Sequence, residues 1–265
     1  MRKIFQAAVC AAALLAPVAA TAQSAAPAAP AAVSAVLEQS PEYRFQLDFQ
    51  VNAAALAKVL PAGWEANPSA TGAAKDCNLR LIFIERSNIV AADGKVVGDG
   101  SNRLVYLAIP VKQTGGTQTG QMIIGGITED TDISSPLLLK ASKVKTARSV
   151  SLSNGATLVS EEWEFTAASG EVLRMSVKFT PAAANRGGGE TKFFDPRDPA
   201  KFQLFKTEQA TDIARNVTTT PPDRVKSFSY KASGGTFASL FDGTEKALSW
   251  DSQRWYTRTI SAPAP

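Results

Sequence analysis

The chain of 265 residues has no histidine and only two cysteines, Cys10 and Cys77. Without histidine, a single chain cannot build serine–histidine or cysteine–histidine nucleophile pairs, histidine zinc sites or imidazole proton relays. Covalent or proton-transfer chemistry is left to lysine, the carboxylates, tyrosine, arginine and serine. Cys10 lies in an N-terminal apolar run. If that run is removed, Cys77 has no partner for an internal disulfide. Beside the apolar stretch "NLRLIFIER", Cys77 reads as a small structural residue rather than a reactive thiol. Basic residues interleaved with aromatics are also missing. Arg2 and Lys3 supply two of the formal +4 charges, so nucleic acid is not an expected partner.

Arg2 and Lys3 precede an apolar run from Ala7 to Ala20 that ends in Ala20-Thr21-Ala22, the pattern of a secretory signal peptide cleaved after Ala22. The run is shorter than the roughly 20 residues of a spanning helix, so stable membrane insertion is not expected. The expected location is periplasmic or secreted. Cys10 stands too early in the run to be a lipid-modified cysteine. Residues 23–41 open with "QSAAPAAPAAVSAV", which has little to bury and reads as an Ala/Pro-rich disordered spacer. Residues 42–265 are then long enough for one domain.

Within that domain the signals are mostly those of strands. "YRFQLDFQV" alternates Phe45, Leu47, Phe49 and Val51 with Arg44, Gln46, Asp48 and Gln50, as a half-buried strand does. Asn52 can cap a short helix over "AAALAKVL", which stops at Pro61-Ala62-Gly63. Strands follow at 78–86, 103–112, 120–127, 142–152, 157–165 and 171–179. Asn154-Gly155 and Ser169-Gly170 mark hairpin turns in a meander of antiparallel strands. "AAANRGGGETKFFDPRDPA" (182–200) reads as a glycine-rich loop without a phosphate-loop lysine. "KFQLFKTEQATDIARN" is mixed. "VKSFSYKAS" and "KALSWDSQRWYTRTI" are the last strands, with a short helix or turn at "GGTFASLFDGT" between them. The fold class is mainly β, an antiparallel sheet that hides its edges by closing or curving strongly.

The succession "EYRFQLDFQVNAAALAKVLPAGWEANP", "LRLIFIER", "RLVYLAIPVK" and "SLFDGTEKALSW" resembles the acetoacetate decarboxylase-like superfamily over roughly residues 42–260. The resemblance implies a closed, cone-like antiparallel barrel with a few short helices and an internal ligand cavity. Decarboxylases of that family carry an aromatic-Pro-Lys-Lys phrase. Its first lysine forms a Schiff base with a β-keto acid, and the second lowers the pKa of the first. In "SSPLLLKASKVK" Pro136 can be matched, but Leu137 and Leu138 stand where the two lysines would be.

Lys140, three residues further on, would be displaced by about 10 Å along a strand and turned to the opposite face. Lys143 and Lys145 read as solvated. Glu129 and Asp130, with Asp132 nearby, lie near the family's acidic residues and read either as an acid–base group or as an exposed acidic loop. Glu85 and Arg86 form either an ion pair facing the cavity or a solvated strand end. Arg44 sits in the first strand, as the family's substrate-binding arginine does.

Two functional readings stay open. In the first, the exported barrel binds a small apolar or carboxylated ligand without Schiff-base chemistry, with Arg44, Glu85, Leu137 and Leu138 as binding residues. In the second, it is a decarboxylase, aldolase or hydratase acting on a keto acid through Lys140 or a carboxylate such as Glu129. A third, blander reading is an exported barrel with no ligand. None of the three calls for a cofactor or a metal, and assembly as a homo-oligomer stays open. The mature protein is expected to begin at Gln23, and intact-mass analysis of envelope-fraction material checks this; a retained Met1 would overturn the export reading.

Overall fold

The computed structural model describes residues 35–131, 137–217 and 223–263. The first strand, β1 (Val36–Gln50), keeps the expected alternation, but both of its faces are covered. Phe45, Leu47 and Phe49 are buried on one side, and Glu42, Arg44, Gln46 and Asp48 on the other. The strand also begins within the stretch that composition assigned to a spacer. Val36–Pro41 pair with the last strand, because Glu38 and Ser40 extend the same charged face as Glu42 and meet Arg86 there.

The chain continues through α1 (Ala53–Val59), β2 (Trp64–Ala66), β3 (Leu79–Arg86), β4 (Val90–Ala91), β5 (Asn102–Gln113), β6 (Thr119–Thr128) and β7 (Leu138–Ser153). It ends with β8 (Ala156–Ala167), β9 (Val172–Phe179), β10 (Asn185–Asp195), β11 (Asp198–Asn216), β12 (Val225–Ser233), α2 (Gly235–Leu240) and β13 (Lys246–Ser261). Asn52 caps α1 as expected, its side chain accepting from the Ala54 amide at 2.9 Å. The hydrogen-bonded pairs run β6, β10, β11, β13, β1, β3, β5 and back to β6, a closed circuit of seven strands. A four-stranded arm, β7-β8-β9-β12, branches from β6.

The antiparallel meander holds within β3-β5-β6 and within β7-β8-β9. It breaks between β6 and β7, which run parallel, as do β6 and β10. Gly126 permits the first junction, since a Cβ there would lie 2.1 Å from the Val105 carbonyl oxygen and 2.8 Å from Leu138 Cδ2. The hairpin between β7 and β8 turns on Asn154 and Gly155 with φ of 50° and 76°, the left-handed pair that a two-residue turn of type I′ demands.

Two segments differ from the reading of the sequence. The glycine-rich stretch within 182–200 is not a loop: Asn185–Asp195 form β10, laddered to β11. Glycine serves close approach here, because a Cβ on Gly188 would meet the Thr207 carbonyl oxygen at 2.5 Å. The mixed segment after it is a single strand of 19 residues, β11.

The main core lies between the arm and the outer face of β1, β3 and β5. Tyr43 stacks on Trp163 with ring centroids 6.2 Å apart, and Phe83 meets Trp163 and Phe165 at 6.0 and 6.2 Å. Phe45 meets Phe179 edge-on at 6.1 Å, and Phe237 and Leu240 of α2 join the same core. The covered outer wall leaves the inner face of β1 free to carry charge. Phe83→Ala should cost about 3–5 kcal/mol in urea unfolding. Leu152→Ala, at a side chain 75% exposed on the β7 hairpin, should stay within about 0.5 kcal/mol.

Candidate functional site

Residues directly opposite one another in neighbouring strands share a face. The even-numbered positions of β1 therefore meet Arg80, Ile82, Ile84 and Arg86 of β3 inside the closed circuit. Glu42 is opposite Arg86 on one side and Tyr256 of β13 on the other. Its carboxylate lies 2.5 Å from Arg44 Nη2, 2.7 Å from Arg258 Nη2 and 3.5 Å from Arg86 Nε. Burial alone would raise the Glu42 carboxyl, but the charges of Arg258, Arg44 and Arg86 outweigh it and hold the group below the usual carboxylate range. Arg86 also donates to Glu38 and, at 3.3 Å, to Ser40 Oγ. Its own pKa is lowered by burial and by the charge of Arg258.

Next to this cluster lies a cavity of about 480 Å³. Tyr106, Arg86 and Arg258, at 1%, 2% and 4% exposure, form its buried end. Leu104, Ile123, Leu138, Phe205 and Ile260 make apolar walls, and Leu37, Lys201 and Gln203 are exposed at its outer side. Among the described buried side-chain atoms without a hydrogen-bond partner, Tyr106 Oη and Arg258 Nε belong to residues that line this cavity.

No family model matches the chain, and no curated protein does. Solved structures do. The enduracididine biosynthesis enzyme MppR complexed with pyruvate superposes with a TM-score of 0.55 at 10% identity, over 87% of this chain and 89% of MppR. An acetoacetate decarboxylase-like enzyme from Sphingomonas wittichii RW1 gives 0.51 at 12% identity, over 88% and 92%. This chain has the acetoacetate decarboxylase-like fold. MppR complexed with a condensation product of pyruvate and imidazole 4-carboxaldehyde superposes equally well, with a TM-score of 0.54.

Within the acetoacetate decarboxylase-like fold of this chain, the residues singled out from sequence separate. Leu137 and Leu138 line the cavity, and Pro136 and Asp132 fall outside the described residues. Lys140 is exposed and does not line the cavity. Lys143 and Lys145 are exposed and pair with Glu164 and Glu162 of β8 at 2.7 and 2.9 Å. Glu129 is half-buried and accepts from the Arg103 amide and guanidinium at 3.0 and 3.3 Å. Asp130 is half-buried, its amide donating to Asn102 Oδ1.

Arg44 is buried inside the circuit, its guanidinium 3.6 Å from the centroid of the Tyr256 ring, and it is not a cavity-lining residue. Glu85 and Arg86 do not pair, because neighbours on a strand face opposite ways. Glu85 is exposed, 3.8 Å from Arg103, whereas Arg86 is one of the most buried charges in the chain. Sequence reasoning therefore named Arg86 only as a partner of Glu85, and missed Arg258 and Tyr106. The available signal was alternation within a strand: Arg86 lies at even spacing from Ile82 and Ile84, and Tyr106 at even spacing from Leu104.

A second polar cluster occupies the same interior face. Asp48, opposite Arg80 and Ser249, lies near Asp251, which accepts from Ser249 Oγ at 2.5 Å. Burial, and then the charge of Asp48, pushes Asp251 up to about 7; burial also raises Asp48 despite Arg80. Cys77 beside them is fully buried, and burial and then Asp48 push its thiol up to about 12, an environment that suits a structural residue. A carboxyl whose folded pKa is raised contributes stability that is fully present below the unfolded carboxyl range. That stability is lost as pH rises toward the folded value. Asp251→Asn should therefore flatten the fall in the urea midpoint between about pH 4 and about pH 7. An unchanged pH profile would show that Asp251 ionises normally.

Proposed function

We propose that this chain binds a small apolar or carboxylated ligand in the cavity of an acetoacetate decarboxylase-like barrel, without Schiff-base chemistry, and that it does so as an exported protein. The observation that carries the reading is the pair of leucines, Leu137 and Leu138, lining the cavity where the family resemblance expected two lysines. Among the described residues, the one lysine lining the cavity is Lys201, exposed and 3.1 Å from Asp198. A solvated, ion-paired ammonium lacks the desolvation that makes a lysine nucleophilic near neutral pH.

The carboxylates around the cavity give no more support to proton-transfer chemistry. Glu42 is held by three guanidiniums, Glu38 by Arg86 and Asp195 by Arg197 at 2.6 Å. What the cavity offers is apolar wall with a few convergent polar groups at one end, the usual make-up of a binding pocket.

Borohydride reduction in the presence of pyruvate or acetoacetate should leave the intact mass of the protein unchanged. Leu138→Lys, which places an amine in the cavity, should give at least partial trapping. Trapping in the unmodified protein that disappears in Lys140→Ala would overturn the reading in favour of a lyase.

A further inference from the structure

One wall of the cavity is aromatic and comes from a single hairpin. Four of the chain's thirteen phenylalanines, Phe193, Phe194, Phe202 and Phe205, fall in β10 and β11, and all four line the cavity. From β5, β6 and the start of β7 the lining is aliphatic apart from Tyr106.

Strand register places two of the four rings inside the closed circuit. Ile260 of β13 is opposite Glu38 of β1 and also opposite Phe205 of β11. Two residues before Phe205, Gln203 is opposite Phe193 of β10, so Phe193 and Phe205 project to the face that carries Glu38 and Glu42. Their rings stack, with centroids 4.0 Å apart and an interplanar angle of 23°. The Arg258 guanidinium lies over the Phe205 ring, 4.9 Å from its centroid. Among the described residues Phe193 has Phe205 as its one ring contact and no cation over it, so one of its two π faces has neither ring nor cation against it. Phe205 is 5% exposed, whereas Phe193 is half-buried. The stack therefore ends at Phe193, a residue that keeps accessible surface and lines the cavity.

Any apolar ligand is favoured here in proportion to the area it buries. An aromatic ring against Phe193 gains more than that, because ring pairs attract beyond their burial through the fit of one quadrupole to the other. A saturated chain or ring of the same size has no such complement to offer. We infer that the ligand carries an aromatic ring, which packs on Phe193 and extends the stack of Phe193 on Phe205 into the cavity. This assignment rests on the binding reading above.

Calorimetric titration of the full-length protein with 2-naphthol and with decahydro-2-naphthol isolates the ring, since the two share a carbon skeleton and a hydroxyl. 2-Naphthol should bind about 2- to 12-fold more tightly, the equivalent of about 0.5–1.5 kcal/mol. Phe193→Leu keeps an apolar side chain but removes the ring. It should bring the ratio of the two affinities to about one, by weakening 2-naphthol and leaving decahydro-2-naphthol close to its original affinity. Equal affinity of the unaltered protein for the two compounds, or a Phe193→Leu variant that weakens both alike or keeps the original ratio, would overturn the aromatic assignment and leave the cavity reading intact. If the variant does not fold, the ratio in the unaltered protein decides alone. Binding of neither compound would overturn the cavity reading, and the assignment with it.

Discussion

The ionic cluster around Glu42 is the constraint from which the interior is built. Closing seven strands into a circuit gives β1 two buried faces, and the arm already covers the apolar one. The inner face holds four charged or amide side chains in succession, and each must find a partner in a region with little water. Arg44, Arg86 and Arg258 come from three different strands to meet a single carboxylate. Such a cluster is a weak source of net stability, because desolvation offsets much of the attraction. It is a strong source of specificity, since a slip of one residue in β1 would turn the charges into the aromatic core and the aromatics into the charged interior.

The same cluster explains the character of the cavity. Guanidiniums fixed in pairs and stacks are positioned before any ligand arrives. Arg258 is held by Glu42 and lies 4.9 Å from the Phe205 ring centroid, and Arg44 is held by Glu42 and Tyr256. The likeness to MppR and to the Sphingomonas wittichii enzyme extends over most of the chain, yet at 10–12% identity it speaks for the path of the backbone and not for the chemistry of the site. Leucines facing a cavity, with arginine and tyrosine at its end, are properties of this chain.

Most strands were legible because their hydrophobic period and their turns agreed. The reading 171–179 became β9, and Asn154-Gly155 turned where its left-handed preference said it would. What escaped was long-range. The first six residues of β10 are exposed, rich in glycine and without alternation, and they form a strand because β11 lies beside them. The polar start of β1 looked like spacer because Arg86, which meets Glu38 and Ser40, is more than 40 residues away. The site suffered in the same way. Leu137 and Leu138 were found from local order, whereas Arg86, Arg258 and Tyr106 converge through the register of four strands, which no local pattern encodes. Glu85 and Arg86 were read as one unit although strand geometry sends them to opposite sides.

The lysines of β7 have a role that needs no catalysis. From Ala141 to Ser153 this strand is laddered to β8 on one side, while its pairing with β6 stops at Lys140, so among the described residues its other side has no strand beside it. A row of open amides and carbonyls that long is a template on which a foreign strand can nucleate an aggregate. Lys140, Lys143, Lys145 and Arg148 are spaced along it and exposed to solvent. An incoming strand would have to strip water from their charges and bring its own chain against them. Three of these side chains pair with Glu164, Glu162 and Glu161 of β8, so the margin carries a charged row of both signs, of the kind that disfavours recruitment of further strands into a continuous sheet.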